Sequence, residues 1–378
     1  MFEFFTWGFF LILLIYYSNF LISILRGLNN LKQSGKDPLP GEFVSIIIPF
    51  RNESDSIIIN VKSIINQNYS LKKYEVIYVN DNSTDDSLKK LEGITKPDNI
   101  KILSAPKNYS PNAHKKRAIS YGIEHSKGEI IVTSDADCIY SADWLSSLLN
   151  NFDEKTGFVS GPVEFKDNGN IFSKIQKLEF AGLIITGAGL IGAGKPTICN
   201  AANIAYRKKV FDEVNGFEYD MNLSSGDDEL LMQKIAKDTG YEVKFSLDKD
   251  AIVKTEPNHS ISDFYYQRKR WASKGLFYKN KNLVVKLVLI YLFYAGLVIQ
   301  SFLMILHSIN FVITLVLSVV FKLLLEYLIL RKGKKLLFPS LQLDWFLLTE
   351  ILQVPYIIFT VLAGVFGNFQ WKGRKVKR

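Results

Sequence analysis

The chain predicts an α/β domain with a mainly parallel sheet, flanked by transmembrane helices. Three observations carry this expectation. Residues 4–25 run without a charge, strand and helix signals alternate over residues 41–275, and further long apolar runs begin at residue 287. At 378 residues the chain is long enough for a full core and for two or three domains. With 48% hydrophobic and 22% charged residues it is too apolar for disorder and more apolar than a wholly soluble enzyme.

The first apolar run spans about 33 Å at helical rise, enough to cross a hydrocarbon core. A cleaved signal peptide has a basic start and a small-residue exit. Here Glu3 precedes the run and Ile24-Leu25-Arg26 ends it, so residues 1–26 read as an uncleaved anchor. Arg26, Lys32 and Lys36 follow, and the positive-inside bias places the next domain in the cytoplasm, on a multi-pass plasma or inner membrane protein. Residues 27–40 read as a linker, 41–275 as a soluble α/β domain and 276–330 as a transmembrane hairpin. Within the hairpin, Lys322 and Glu326 lie four apart on one helical face and can pair inside lipid. The last apolar stretch, 336–371, contains Pro339, Asp344, Glu350 and Pro355 and is too short for two comfortable crossings. Residues 331–378 read as a basic loop, a re-entrant or transmembrane segment and a basic tail; one crossing would put that tail outside, so a re-entrant or interfacial hairpin is preferred.

The net charge of +9 comes from two short runs, Arg331, Lys332, Lys334 and Lys335, and Lys372, Arg374, Lys375, Lys377 and Arg378; the remainder balances at 37 basic against 37 acidic residues. Charges beside a membrane fit this better than a nucleic-acid face, so no nucleic-acid partner is expected. The two cysteines, Cys138 and Cys199, form neither a disulfide framework nor a metal cluster and read as reduced thiols.

Within 41–275, strands are predicted at Val44–Ile48, Tyr74–Val79, Ile100–Leu103 and Glu129–Thr133. Helices are predicted to Ile65, from a Ser83 cap through Leu91, and over 112–125. Strands separated by helices imply ligands beyond the strands' carboxyl ends, where polar clusters follow strands one, two and four. Gly187-Ala188-Gly189-Leu190-Ile191-Gly192 matches a dinucleotide fingerprint as a string, and Gly189 to Lys195 nearly makes a phosphate loop. A helix, Gln176–Ile185, precedes them instead of a strand, and Pro196 replaces the hydroxyl a phosphate loop needs. The segment reads as a flexible glycine-rich connection.

Asp135-Ala136-Asp137 sets two carboxylates on one turn, a spacing suited to a hard divalent cation that also takes diphosphate oxygens. Asp81, closing the second strand, can accept hydrogen bonds from a nucleobase or ribose. Gly226-Asp227-Asp228-Glu229 opens a helix, whose N-terminal dipole favours an ionised carboxylate, as a general base requires. Gln267-Arg268-Lys269-Arg270-Trp271 can stack an indole on a sugar while a guanidinium holds phosphate.

In order, Pro49-Phe50-Arg51-Asn52-Glu53, the Asp81 cluster, Asp135-x-Asp137, Gly226-Asp227-Asp228 and Gln267-x-x-Arg270-Trp271 resemble the family 2 glycosyltransferases, over about residues 41–275. This inverting group includes cellulose, chitin and hyaluronan synthases and ceramide glucosyltransferase. The resemblance implies a GT-A fold and a nucleotide-diphosphate sugar donor, most often a UDP-sugar. It implies that Pro49, Glu53, Asp81, Lys115, Asp135 and Arg270 bind the nucleotide sugar, with Asp81 on the uracil. Asp137, with Asp135, would hold Mg²⁺ or Mn²⁺, and Asp228 would be the base. Gln267, Trp271 and Asn203 would bind the acceptor. Lys115 falls where the family often has a lysine before Ala-Leu-Asn; here Ala118-Ile119-Ser120 follows. A translocating channel needs more crossings than are counted, so the expected acceptor is a membrane lipid or lipid-linked saccharide. A processive polysaccharide synthase is the alternative. A non-catalytic sugar-nucleotide binder is a further one, opposed by intact Asp137, Asp228 and Trp271.

Overall fold

The computed structural model of the chain describes residues 2–33, 42–108, 114–218, 226–275, 278, 280–306, 309–367, 369–371 and 374–376. Part of the predicted linker, the start of the predicted 112–125 helix, the 307–308 loop and most of the basic tail lie outside the described residues. A first helix, α1 (Phe2–Asn30), precedes β1 (Val44–Phe50), α2 (Ile57–Ile65), β2 (Tyr74–Asn80), α3 (Ser87–Glu92), β3 (Ile100–Ser104), α4 (His114–Glu124), β4 (Ile130–Thr133) and α5 (Trp144–Leu149). There follow β5 (Thr156–Ser160), β6 (Val163–Phe165), α6 (Ile171–Gly192), β7 (Ile204–Arg207), α7 (Lys208–Glu213), α8 (Glu229–Asp238), β8 (Glu242–Phe245), β9 (Val253–Thr255) and α9 (Ile261–Ala272). Helices α10 (Lys281–Leu306), α11 (Ile309–Leu336) and α12 (Phe346–Phe366) lead to a small hairpin, β10 (Phe369–Trp371) and β11 (Arg374–Val376).

A seven-stranded sheet runs β3-β2-β1-β4-β7-β5-β8. Strand β1 is parallel to β2 and β4, β2 to β3, and β5 to β8, while β7 lies antiparallel between β4 and β5. Every residue of β1 and β2 is buried, which is why both read as mainly apolar runs, interrupted by Ser45 in β1 and Glu75 in β2, rather than alternating ones. The chain moves outward from β1 through β2 to β3, then returns to place β4 on the other side of β1. Between the carboxyl ends of β1 and β4 this reversal opens a crevice, where such sheets bind ligands.

Ser83 does not cap the following helix. Helix α3 begins at Ser87 after Asp86, because the intervening acids tie down the loop: Asp85 accepts from the Ser54 and Ser87 amides, both at 3.1 Å. Ser83 instead accepts from the Asn52 amide at 3.2 Å and joins the ends of β1 and β2.

The glycine-rich segment is not a flexible connection. Gly187, Gly189 and Gly192 belong to α6 and lie where other chain segments press against it. A Cβ on Gly189 would sit 2.6 Å from the Ile24 side chain, one on Gly192 2.2 Å from the Gly27 carbonyl oxygen, and one on Gly27 1.8 Å from that of Gly189. Small residues on both helices let α1 and α6 approach nearly backbone to backbone.

Among the described residues five helices, α1, α6, α10, α11 and α12, are long and apolar enough to cross a membrane. Residues 346–366 form one continuous helix of 21 residues through Pro355, where the sequence predicts a re-entrant or interfacial hairpin. Pro339 and Asp344 fall in the turn before it, and Glu350 is neutralised by Lys322 of α11, so neither the proline nor the acids interrupt the span. The basic run 331–335 continues α11 as helix rather than forming a loop. Lys322 also meets Glu326 and Gln353, each at 3.0 Å. Tyr17 of α1 donates to Glu326 at 2.5 Å and contacts the Tyr294 hydroxyl of α10 at 3.0 Å. One buried polar network thus joins four of the five helices.

Candidate active site

A cavity of about 390 Å³ opens at the β1–β4 crevice, bounded on the other side by α8, α9, α6 and the first turns of α10. It brings together Pro49, Glu53, Asp81, Lys115, Asp135, Asp137, Asp228, Gln267, Arg270 and Trp271. All predicted site residues except Asn203 therefore line one space.

The end of β1 turns sharply at Asn52, whose φ is +51°, and that of β2 at Asn82, at +56°, a left-handed conformation that asparagine tolerates better than most residues. Arg51 locks the two turns by donating to the carbonyls of Asp81, at 2.8 Å, and Asn82. Asp81 is buried, and its Oδ1 pairs with Arg117 of α4. Arg117 was not anticipated from the sequence; the run Lys115-Lys116-Arg117 beside two acidic strand ends was the available signal.

Lys115, on the same helix, lies 2.7 Å from Asp135 Oδ1 and 3.2 Å from Asp227 Oδ2. It joins the β4 turn to the start of α8. Burial disfavours the charged ammonium, but Asp135 and Asp227 outweigh this and hold Lys115 well above its ordinary value. For Asp227, burial raises the carboxyl and Lys115 and Lys116 more than reverse it, leaving it below the usual carboxylate range.

Asp228 is the N-cap of α8: its carboxylate accepts from the Glu229 amide at 2.7 Å and the Ala201 amide at 3.0 Å. Gly226, at φ +88°, makes the turn into this cap. Two backbone donors thus fix the carboxylate in the cavity wall.

Helix α9 presents Gln267, Arg270 and Trp271 to the cavity at spacings of three and four, and Lys274 extends the same face by another turn. Arg268 points the other way. Its guanidinium stacks 4.5 Å from the Phe264 ring and 4.3 Å from Trp271, pairs with buried Glu179 of α6, and donates to Gln267. Tyr356 of α12 donates to the same Glu179 at 2.7 Å.

Asn203 does not reach the acceptor side. It is fully buried, accepting from the Trp144 indole at 3.0 Å and donating to the carbonyls of Pro162 and Ala251 at 2.8 and 2.7 Å. It clamps β7 to neighbouring loops, and its polar groups are occupied there. Cys138 and Cys199 are free thiols; burial first, then Asp137, pushes the Cys138 thiol up. Glu229, the last residue of the Gly226–Glu229 motif, also lines the cavity, as do Lys274 and Tyr278, which lie outside the motifs singled out above.

Among the described residues no group of three or more His, Cys, Asp or Glu gathers to hold a metal. The donor set of Asp135 and Asp137 nevertheless fits a Mg²⁺- or Mn²⁺-like ion, because such ions are commonly held by one or two carboxylates and complete their shell with substrate phosphates and water.

A mainly parallel sheet with acidic turns at the β1–β4 switch point and a capped acid facing them defines a GT-A protein. The family described as Glycosyl transferase family 2 matches residues 45–214, and Glycosyl transferase family group 2 matches residues 130–364. The chain belongs to the family 2 glycosyltransferases. It is 30% identical over 218 residues to Glycosyltransferase AglE of Haloferax volcanii, covering 54% of this chain and 65% of that protein. It is 25% identical over 263 residues to poly-beta-1,6-N-acetyl-D-glucosamine synthase of Staphylococcus aureus, covering 68% of this chain and 60% of that one. The chain thus spans less than two thirds of the length of either relative. Among solved structures, mannosyltransferase PcManGT from Pyrobaculum calidifontis, in complex with GDP-Man and Mn²⁺, superposes with a TM-score of 0.58 at 19% identity, over 96% of this chain and 99% of that one. That likeness establishes the fold.

Proposed function

We propose that the protein transfers a sugar from a nucleotide-diphosphate donor to a hydroxyl of a membrane lipid or lipid-linked saccharide, with inversion and with Asp228 as the base. The observation that carries this is the Asp228 carboxylate, held by two backbone amides in the wall of a cavity whose opposite side carries the Asp135–Asp137 turn. The acceptor hydroxyl attacks the anomeric carbon, its proton passes to Asp228, and the bond from that carbon to the diphosphate oxygen breaks. Arg270 faces the leaving diphosphate, and Lys115 holds the Asp135 turn in place while adding positive charge. Glu53 and Asp81 sit at the nucleotide end; because Arg117 already engages Asp81, the remaining acceptor capacity of that carboxylate is what serves the base. Trp271 and Gln267 flank the acceptor. A divalent cation bound by Asp137 and Asp135 would neutralise charge on the diphosphate.

The donor is a UDP- or GDP-sugar; the solved relative holds GDP-Man with Mn²⁺. A lipid-borne acceptor is favoured because the far wall of the cavity is apolar and contributed by membrane-length helices, through Phe180, Leu183 and Ile184 of α6 and Leu287 of α10. The second reading, a processive polysaccharide synthase, is favoured by the similarity to the poly-N-acetylglucosamine synthase. Mass spectrometry of lipids and polymers formed by the purified chain from a panel of UDP- and GDP-sugars separates them. A single glycolipid supports the first reading, a product ladder the second, and absence of any transfer rejects both. Transfer should cease in excess EDTA and return with Mn²⁺ or Mg²⁺.

A further inference from the structure

We infer that Glu229, Lys274 and Tyr278 form an acceptor subsite beside Asp228 that takes the hydroxyls of a neutral sugar rather than a lipid phosphate. The inference rests on the reading of Asp228 as base and narrows the acceptor class.

Glu229 follows Asp228 as the first residue of α8 and is only 4% exposed. Lys274 stands seven residues after Gln267 and four after Arg270, continuing the face that α9 turns to the cavity. Its ammonium lies 3.0 Å from Glu229 Oε1, and the Tyr278 hydroxyl donates to the same oxygen. All three side chains line the cavity next to Asp228. A buried ion pair is a poor stabiliser compared with apolar side chains of the same volume, because both charges lose their hydration. Its place in a cavity wall instead offers a ligand one carboxylate acceptor and two kinds of donor within a few ångströms, the complement of adjacent sugar hydroxyls.

Charge decides against phosphate. Among the described residues the cavity is lined by eight carboxylate side chains and four cationic ones. Lys115 is shared by Asp135 and Asp227, and Lys274 is engaged by Glu229. A nucleotide diphosphate can bring its own divalent cation to this field, but a lipid phosphate would enter it beside Asp227, Asp228 and Glu229. A phosphate dianion also has no proton for Asp228 to take, whereas a hydroxyl has. Leu183, Ile184 and Leu287 give the same cavity an apolar wall that suits the hydrocarbon tail that carries such a sugar.

The test uses the full chain in lipid nanodiscs with Mn²⁺, with empty nanodiscs as background. Calorimetry measures binding of UDP, GDP, octyl β-D-glucoside, octyl α-D-mannoside, octyl N-acetyl-β-D-glucosaminide and farnesyl phosphate. At least one octyl glycoside should bind more tightly than farnesyl phosphate. Glu229→Gln and Lys274→Met should each weaken that glycoside about tenfold or more, as loss of a hydrogen bond to a charged group does, and leave nucleotide affinity within about twofold. The double variant should be no weaker than the worse single one, since the two act as a pair. Tyr278→Phe, which removes one hydroxyl, should weaken the glycoside less and serves if the charge variants do not fold. Tighter binding of farnesyl phosphate than of every glycoside, no glycoside binding, or unchanged glycoside affinity in the variants overturns the inference. Failure of wild type to bind either nucleotide would instead reject the donor-site reading, and the two failures are read on separate ligands.

Discussion

Asp227 and Asp228 are adjacent in sequence yet serve different ends, and each makes a separate prediction. Asp228 caps α8 with one carboxylate oxygen, accepts from the Ala201 amide with the other, and faces the cavity. Asp228→Asn keeps size and shape but removes the proton acceptor, so transfer should fall by about 10²–10⁴-fold while nucleotide affinity, read by calorimetry, stays near wild type. Wild-type turnover in that variant would move the base elsewhere. The sequence alone suggests Asp227 is a helix-start acid of modest value. The structure buries it against Lys115, so Asp227→Asn leaves a buried lysine short of a partner and should cost about 3 kcal/mol of stability. Because the folded carboxyl titrates below its unfolded value, that stabilisation is full above about pH 4 and is lost as pH falls through the depressed folded value. Thermal melts at pH 7 and pH 3 should therefore show a wide gap between wild type and variant at the first and a narrow one at the second. Residue identity in the motifs was legible because strand ends and helix starts carry their own polar signals. Asn203 was not, since an asparagine that clamps three distant backbone and side-chain groups leaves no local pattern.

Helix α9 connects the cavity to the long apolar helices. One face carries Gln267, Arg270 and Trp271; behind them, Arg268 braces both Gln267 and Trp271 and is itself held by Glu179 of α6 and, through it, Tyr356 of α12. Arg268→Met strands Glu179 in a buried site, and the loss should be about 3–5 kcal/mol, read as a lower melting temperature in detergent. Arg268→Lys should recover little of it, because an ammonium cannot stack between two rings while pairing with a carboxylate at both oxygens. A melting temperature unchanged in both variants would remove the brace. The misread glycine-rich and α12 segments share one physical cause. The α6 glycines, the prolines near α12 and Glu350 are all helix-disfavouring or membrane-disfavouring taken alone, and only their partners, α1 for the glycines and Lys322 for Glu350, make them compatible with long helices.

At the scale of the whole molecule, an α/β domain sits on a bundle in which α1 packs against α6, α10 and α11 and α12 packs against α9. The alternation of strand and helix made the first four strands of the sheet legible, and the long apolar runs revealed α1, α10 and α11. The bundle's fit to the domain rests on long-range contacts that no local pattern records. From the basic residues after α1 we propose that the α/β domain faces the cytoplasm. With Cys138 and Cys199 replaced by alanine, a cysteine at Ser141 should resist an impermeant thiol reagent on whole cells, and one at Ser308 should react; equal labelling at both would reject that orientation. The single displacement proposed at Asp228 inverts the anomeric carbon, so the anomeric configuration of the product reports on it. From an α-linked donor such as UDP-N-acetylglucosamine or GDP-mannose, nuclear magnetic resonance of the isolated product should show a β linkage. An α-linked product would contradict the account.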